Sequence, residues 1–214
     1  MNFEIGHLYH VYNQGNNKQK IFFKEENYHF LIEKIKTHIL PFADVLAWCL
    51  MPNHFHLMLH PNGLSRGATM SRTPTNTPDA KTQSFNHSIG VMLASYTRAI
   101  QKQENISGSL FRQKTKAICL TKNDVLSPSY LNTSFGTLIN INTPQSRYPK
   151  ICFDYIHDNP VKAKLVEHVE NWKFSSIHEF NGNGVFELVN LEMAKVFYLY
   201  SSDDYESSDE CNKK

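Results

Sequence analysis

The spacing of apolar and polar positions changes several times along the chain, and each change marks an element. His7 to Tyr12 (HLYHVY) mixes β-branched and aromatic residues as strands do, and the cluster Asn13-Gln14-Gly15-Asn16-Asn17 after it is turn chemistry. From Tyr28 the apolar residues fall at Tyr28, Leu31, Ile32, Ile35 and Ile39, the stripe of an amphipathic helix. Val45 to Met51 is a short apolar run closed by Pro52-Asn53, and His54 to His60 resumes in strand-like fashion, so the spacing predicts a hairpin with Met51-Pro52-Asn53 at its tip. Ile89, Met92, Leu93, Tyr96 and Ile100 repeat the helical stripe and predict a second helix over 88–103, with Gly108 as its stop. Thr115 to Leu120 is the candidate fourth strand. Strand, helix, strand, strand, helix, strand folds most simply, under the right-handed crossover rule, into an antiparallel sheet with packed helices. The expected class is α+β and ferredoxin-like, with a largely helical C-terminal appendix from Tyr148 onward.

Two stretches interrupt this pattern. Residues 61–87 and 122–148 are rich in Ser, Thr, Asn, Gly and Pro, and both exceed the ~12–15 residues of ordinary connections, which predicts functional or mobile insertions. Neither reads as a domain linker, because the elements on either side need each other to form a sheet. With 214 residues and no internal repeat, the chain suits one domain over 1–180, an extension over 181–200 and a tail over 201–214. That tail holds five acids against two lysines, so it carries −3 and the rest of the chain +5 of the net +2. An acidic, Ser-rich tail of this kind is expected to be disordered, and the basic body suits a polyanionic partner. No run approaches the ~18–20 apolar residues of a membrane span, and MNFEIGHLYH lacks the basic-then-apolar layout of a secretory signal; a cytoplasmic protein is expected. Cys49, Cys119, Cys152 and Cys211 are scattered without a C-x-x-C pair, which points to reduced thiols.

Candidate chemistry centres on His54-Phe55-His56-Leu57-Met58-Leu59-His60. In a strand Phe55, Leu57 and Leu59 share one face while His54, His56, Met58 and His60 share the other. His54 and His56 then stand about 6.5–7 Å apart at the backbone, a spacing that lets two imidazoles converge on one divalent ion. A His-x-His pair also arises by chance in a chain with eleven histidines, and spacing does not choose between the two readings. Tyr96 lies on the apolar stripe of the second predicted helix, a position that taken alone favours a core role; as a phosphoryl nucleophile its phenol, with a free pKa near ~10, requires a nearby cation.

Met51-Pro52-Asn53-His54-Phe55-His56-Leu57, then Ser95-Tyr96-Thr97-Arg98 and Gly108-Ser109-Leu110-Phe111-Arg112, resembles the single-tyrosine HUH transposases, in particular the REP-associated tyrosine transposases. A third block, Asp154-Tyr155-Ile156-His157-Asp158-Asn159-Pro160-Val161-Lys162-Ala163 followed by Trp172-Lys173-Phe174-Ser175-Ser176, is similar to the C-terminal signature of that family, and the match runs from about residue 6 to residue 180. The resemblance implies a ferredoxin-like nuclease that cuts single-stranded DNA near a hairpin, forms a 5′-phosphotyrosine, leaves a free 3′-hydroxyl and rejoins strands. It implies Tyr96 as nucleophile, and magnesium or manganese held by His54, His56 and a polar side chain; were a Tyr96→Phe protein still to form a DNA adduct, the other tyrosines, such as Tyr155 on the C-terminal helix, would be next in line. Family members carry an Asn after the tyrosine; here Gln101 is the first candidate for that third ligand and Gln103 the second.

Basic residues available to DNA phosphates are Lys18, Lys20, Arg112, Lys114, Lys116, Lys162 and Lys164. The expected partner is single-stranded or hairpin DNA, without a membrane, and the expected state a monomer or homodimer in which Tyr96 acts in cis or in trans. Two rivals remain open at this point: a catalytically silent hairpin-binding protein derived from such a nuclease, and a metal-dependent hydrolase that uses water.

Overall fold

The computed structural model describes residues 1–62, 84–121, 148–197 and 199, together with the backbone of two strands at 129–133 and 136–140. The first six elements are β1 (Tyr9–Gln14), α1 (Glu25–His38), β2 (Ala43–Met51), β3 (His54–Pro61), α2 (Phe85–Glu104) and β4 (Lys116–Cys119). Then come β5 (Ser129–Thr133), β6 (Gly136–Asn140), α3 (Tyr148–Lys162), α4 (Ile177–Phe180) and α5 (Leu191–Val196). β2, β3, β1 and β4 lie in that order in one four-stranded sheet, and every neighbouring pair is antiparallel. This is the ferredoxin-like topology expected from the order of elements.

Two boundaries differ from expectation. Strand β1 continues through Asn13 and Gln14, which pair with Phe55 and His54, and the turn begins only at Gly15. Buried Asn13 is held there because its Nδ2 donates to Thr115 Oγ1 and to the Arg112 carbonyl, a satisfied polar group that overrides weak strand propensity. The predicted insertion at 122–148 contains the β5–β6 hairpin, with Leu131 opposite Leu138, and ends where α3 begins at Tyr148. Of the predicted insertion at 61–87, Phe85 to His87 already belong to α2, which Ser84 caps by accepting from the His87 N–H. Residues 63–83 and 201–214, including Cys211, lie outside the described residues.

The sheet is buried on both faces. On one face Tyr9, Val11, Phe55, Leu57 and Leu59 pack with Leu31, Ile32 and Ile35 of α1 and with Met92, Tyr96 and Ile100 of α2. On the other face Leu8, Cys49, Met51 and Met58 pack with Cys152, Phe153 and Ile156 of α3 and Ala194 of α5. The helical C-terminal segment is therefore a second covering layer. A doubly covered strand carries apolar residues without alternation, and all nine positions of β2 except Asp44 are buried.

Chain beyond α3 also closes the outer edge of β2. Leu50 N–H donates to the Phe174 carbonyl and Ser176 N–H to the Trp48 carbonyl, while Trp48 N–H donates to Ser176 Oγ. Trp172 Nε1 donates to the Leu50 carbonyl, and His157 of α3 shares a 2.7 Å hydrogen bond with Ser176 Oγ. The Trp-x-x-Ser-Ser segment thus occupies backbone groups that an edge strand leaves open. Among the described residues no helix is long and apolar enough to cross a membrane.

Candidate active site

The β2–β3 turn is clamped from outside. The Asn53 carbonyl accepts from Gly15 N–H and the Pro52 carbonyl from Ile21 N–H, so the segment after β1 wraps the tip of the hairpin. Gly15 is required by this close approach, since a Cβ there would lie 2.1 Å from the Gln19 carbonyl oxygen. His54, the first residue of β3, starts from a fixed point.

Alternation along β3 divides its side chains as expected: Phe55, Leu57 and Leu59 enter the α1–α2 core, and His54, His56 and Met58 face the other way. The His54 and His56 rings are 4.9 Å apart between centroids. His54 Nδ1 donates to Asn53 Oδ1 at 2.6 Å, because an amide oxygen can only accept; its Nε2 is then the unprotonated nitrogen. His56 Nδ1 lies 2.8 Å from Nε2 of His10, and His56 Nε2 is buried with no hydrogen-bond partner among the described residues.

Helix α3 supplies the remaining groups. Cys152, Phe153, Ile156, His157, Asn159 and Pro160 form its buried stripe, and Tyr155 flanks that stripe, half-buried, with its ring 5.4 Å from that of His56 and 6.1 Å from that of His10. Asn159 is one turn further on the same face. Its Nδ2 donates to the Tyr155 carbonyl, and its side chain also interacts with the Tyr155 phenol and the His54 ring. Lys162 Nζ stands 5.6 Å from the centroid of the Tyr155 ring and pairs with Asp158 at 3.2 Å.

Burial sets the protonation states. It lowers His54 to about 4, against a smaller upward push from Asn159, and lowers His10 to about 3. Burial holds His56 well below the ordinary histidine range, with His10 and His54 adding to the effect. All three imidazoles are neutral near pH 7, the form that ligates a metal. Burial raises the Tyr155 phenol, and the Asn159 hydrogen bond opposes it. An imidazole pair with an orphaned buried nitrogen, joined by an amide oxygen, is a donor set that fits a divalent cation. Among the described residues no group of three or more His, Cys, Asp and Glu gathers for that purpose, so any third protein ligand here has to be of another type.

The structure does not bring Tyr96 or Gln101 to this face. Tyr96 is fully buried in the α1–α2 core on the opposite side of the sheet, where its hydroxyl donates to the Ile21 carbonyl at 2.7 Å and burial pushes its pKa far up. The apolar stripe of α2 does aim Tyr96 at the sheet, but at the face that carries Phe55. Gln101 Nε2 donates to the Gly108 carbonyl, closing the loop after α2, and Gln103 bonds to Asn27 at the start of α1.

The predicted basic residues are all exposed. Lys116 pairs with Tyr12, which pairs with His56, so these three share the histidine face. Arg112 lies close enough to bear electrostatically on Tyr12. Lys18 borders the hairpin tip through its carbonyl, which accepts from Asn53 Nδ2, and Lys20 lines an open groove with Phe23, Lys24, Pro52 and Trp172. Lys162 adjoins Tyr155, and Lys164, with a positive φ of 57°, ends the turn after α3. Lys114 lies just before β4.

His10 and Asn159 had no part in the sequence reading of the site. His10 shows itself only when β1 is placed beside β3, because two separated strands must be paired before their faces merge. Asn159 was visible as the fourth residue after Tyr155, a spacing that stacks two side chains on one helical face.

No protein-family model matches the sequence, and no curated protein matches it. The chain is similar to the solved structure of a REP-associated tyrosine transposase bound to a REP hairpin, with a TM-score of 0.51, 16% sequence identity and 87% of each chain covered.

Proposed function

We propose that this protein is a metal-dependent endonuclease and transposase of single-stranded, hairpin-bearing DNA, with Tyr155 rather than Tyr96 as nucleophile and Asn159 rather than Gln101 as third metal ligand. The observation that carries this reading is the placement of the Tyr155 ring 5.4 Å from His56 on the face where His56 Nε2 is buried without a partner. The likeness in fold to a transposase that binds a REP hairpin supports the same reading.

His54, His56 and Asn159 would hold the ion, and magnesium or manganese bound there would polarise a scissile phosphate. Tyr155 Oη attacks phosphorus as the bond to the 3′-oxygen breaks; the 5′ side stays on the tyrosine as a phosphodiester. The departing oxygen takes a proton to become a free 3′-hydroxyl, and the phenolic proton passes to solvent. Attack by another 3′-hydroxyl reverses the step and rejoins strands without an outside energy source. Asn159, whose hydrogen bond favours the phenolate against burial, steadies the Tyr155 phenol, and Lys116 with Arg112 lies where a backbone phosphate would meet the histidine face.

The test is to incubate the protein with magnesium or manganese and a labelled hairpin bearing a single-stranded flank, digest the covalent product and map it by mass spectrometry. The adduct is expected on the peptide containing Tyr155. An adduct on Tyr96 would overturn the assignment. A free 5′-phosphate without adduct would mean hydrolysis by water, and binding without cutting a silent hairpin binder.

A further inference from the structure

We infer that His10 is a positioning residue that fixes the tautomer of His56, so that His56 presents a lone pair on Nε2; this rests on the reading of His56 as a metal ligand. A histidine binds a metal through one unprotonated nitrogen while the other carries the proton, and whatever bonds the second nitrogen decides which is which. For His54 the partner is the Asn53 amide oxygen. For His56 the contact is His10 Nε2, 2.8 Å from Nδ1, and that contact runs in either direction. If His56 Nδ1–H donates to a bare His10 Nε2, His56 Nε2 keeps its lone pair. If His10 Nε2–H donates instead, His56 Nε2 bears a hydrogen and can only donate.

Geometry around His10 holds it to one place. It is 3% exposed, lies over Tyr12 with centroids 4.9 Å apart and meets His56 edge to edge, the two rings inclined by only 26° with centroids 5.0 Å apart, with Tyr155 edge-on at 6.1 Å. Strand β1 carries it opposite Met58, beside His56 on the neighbouring strand. The His56 ring is thereby held at Nδ1 with its unpartnered Nε2 left for the site. Both histidines of the pair then present Nε2, each with its Nδ1–H held by a dedicated acceptor, Asn53 for one and His10 for the other.

The test uses the full chain with manganese alone as probe. Long-range ¹H–¹⁵N spectra of the histidine rings read the tautomer of His56 without metal, and electron paramagnetic resonance of free Mn²⁺ measures affinity. The inference expects the proton of His56 on Nδ1 in the wild type. It expects His10→Phe to weaken Mn²⁺ binding about 10- to 100-fold. His10→Gln, whose amide oxygen can accept from Nδ1–H, is expected to stay within a few-fold of wild type. A wild-type His56 protonated on Nε2 overturns the inference even if neither variant folds. Wild-type affinity in folded His10→Phe also overturns it, provided His56→Ala loses the ion. If His56→Ala binds Mn²⁺ as the wild type does, or the wild type binds none, the metal reading itself fails and this inference falls with it.

Discussion

Tyr155 and Tyr96 stand on opposite sides of the same four-stranded sheet, the first against His56 and the second in the core that Phe55 shares with α1 and α2. Their conservative variants should therefore separate cleanly. Tyr96→Phe loses one buried hydrogen bond and leaves the Ile21 carbonyl without its donor, at a cost of about 1–2 kcal/mol in urea denaturation, with cleavage retained. Tyr155→Phe should change stability by no more than about 0.5 kcal/mol and abolish the covalent adduct, while hairpin affinity holds within a few-fold. Adduct formation by Tyr155→Phe would remove the nucleophile assignment.

His54→Ala and His56→Ala should each abolish cleavage in magnesium or manganese, and Asn159→Ala should weaken it strongly. His60 is the control. It lies 3.6 Å from Asp44 and against Phe197, at the far end of β3, so His60→Ala should cut at a rate near wild type. Gln101→Ala, which only loosens the loop after α2, should do the same. Cleavage assays across a manganese titration distinguish these variants, and a His54→Ala protein that cuts as fast as the wild type would count against the metal site.

Acid should destabilise the protein through its buried histidines, and His157 gives the most direct reading because its ring is buried between the Phe153 carbonyl and Ser176 Oγ and is not itself one of the proposed ligands. Burial lowers its pKa to about 3, against about 6.5 in an unfolded chain. Between those values the unfolded state binds a proton that the folded state refuses, so the folded state loses about 1.4 kcal/mol per pH unit as pH falls below 6.5 and keeps its full stability above it. His157→Gln removes that linkage. The stability difference between wild type and His157→Gln should shrink by about 2 kcal/mol from pH 7 to pH 5, measured by chemical denaturation at each pH. A difference independent of pH would mean that His157 takes up its proton in the folded protein as readily as in the unfolded chain.

Hairpin binding should depend on charges of the histidine face. Lys116→Gln and Lys162→Gln are expected to weaken binding and to lower the slope of log affinity against log salt by about one each. Lys102→Gln, on α2 beyond the other face, should leave both unchanged. Fully duplex DNA should be cut more slowly than the hairpin with its single-stranded flank, because stacking must first be disrupted. Equal slopes for all three variants would place the DNA elsewhere.

The sheet was legible in the sequence because both helices kept one apolar stripe and the strands were short runs set off by turn residues, and the alternation of β3 placed His54 and His56 on the face opposite Phe55, Leu57 and Leu59. What periodicity leaves open is which side of a sheet a helix takes. The stripe of α2 says that Tyr96 faces the sheet; only the crossover geometry, by which α1 and α2 share one face, says that the face is Phe55's. Tyr155 was obscured differently, since it sits in a segment that reads as an appendix until the second face of β2, apolar without alternation, is seen to need a cover. The β5–β6 hairpin was lost because Asn, Thr and Ser dilute its apolar positions to the composition of a loop.

Helix α3 and strand β3 each hold one half of the proposed chemistry, and only packing joins the halves. Tyr155 and Asn159 reach the histidines through the contacts of Cys152, Phe153 and Ile156 with Cys49, Met51 and Met58. That seam works as a ruler: a side chain shortened there alters the reach of the phenol to a phosphate without touching a single reacting atom. Reaction rate is steeper in such a distance than folding free energy is. Apolar residues in this layer therefore belong to the precision of the proposed chemistry as much as to the stability of the fold.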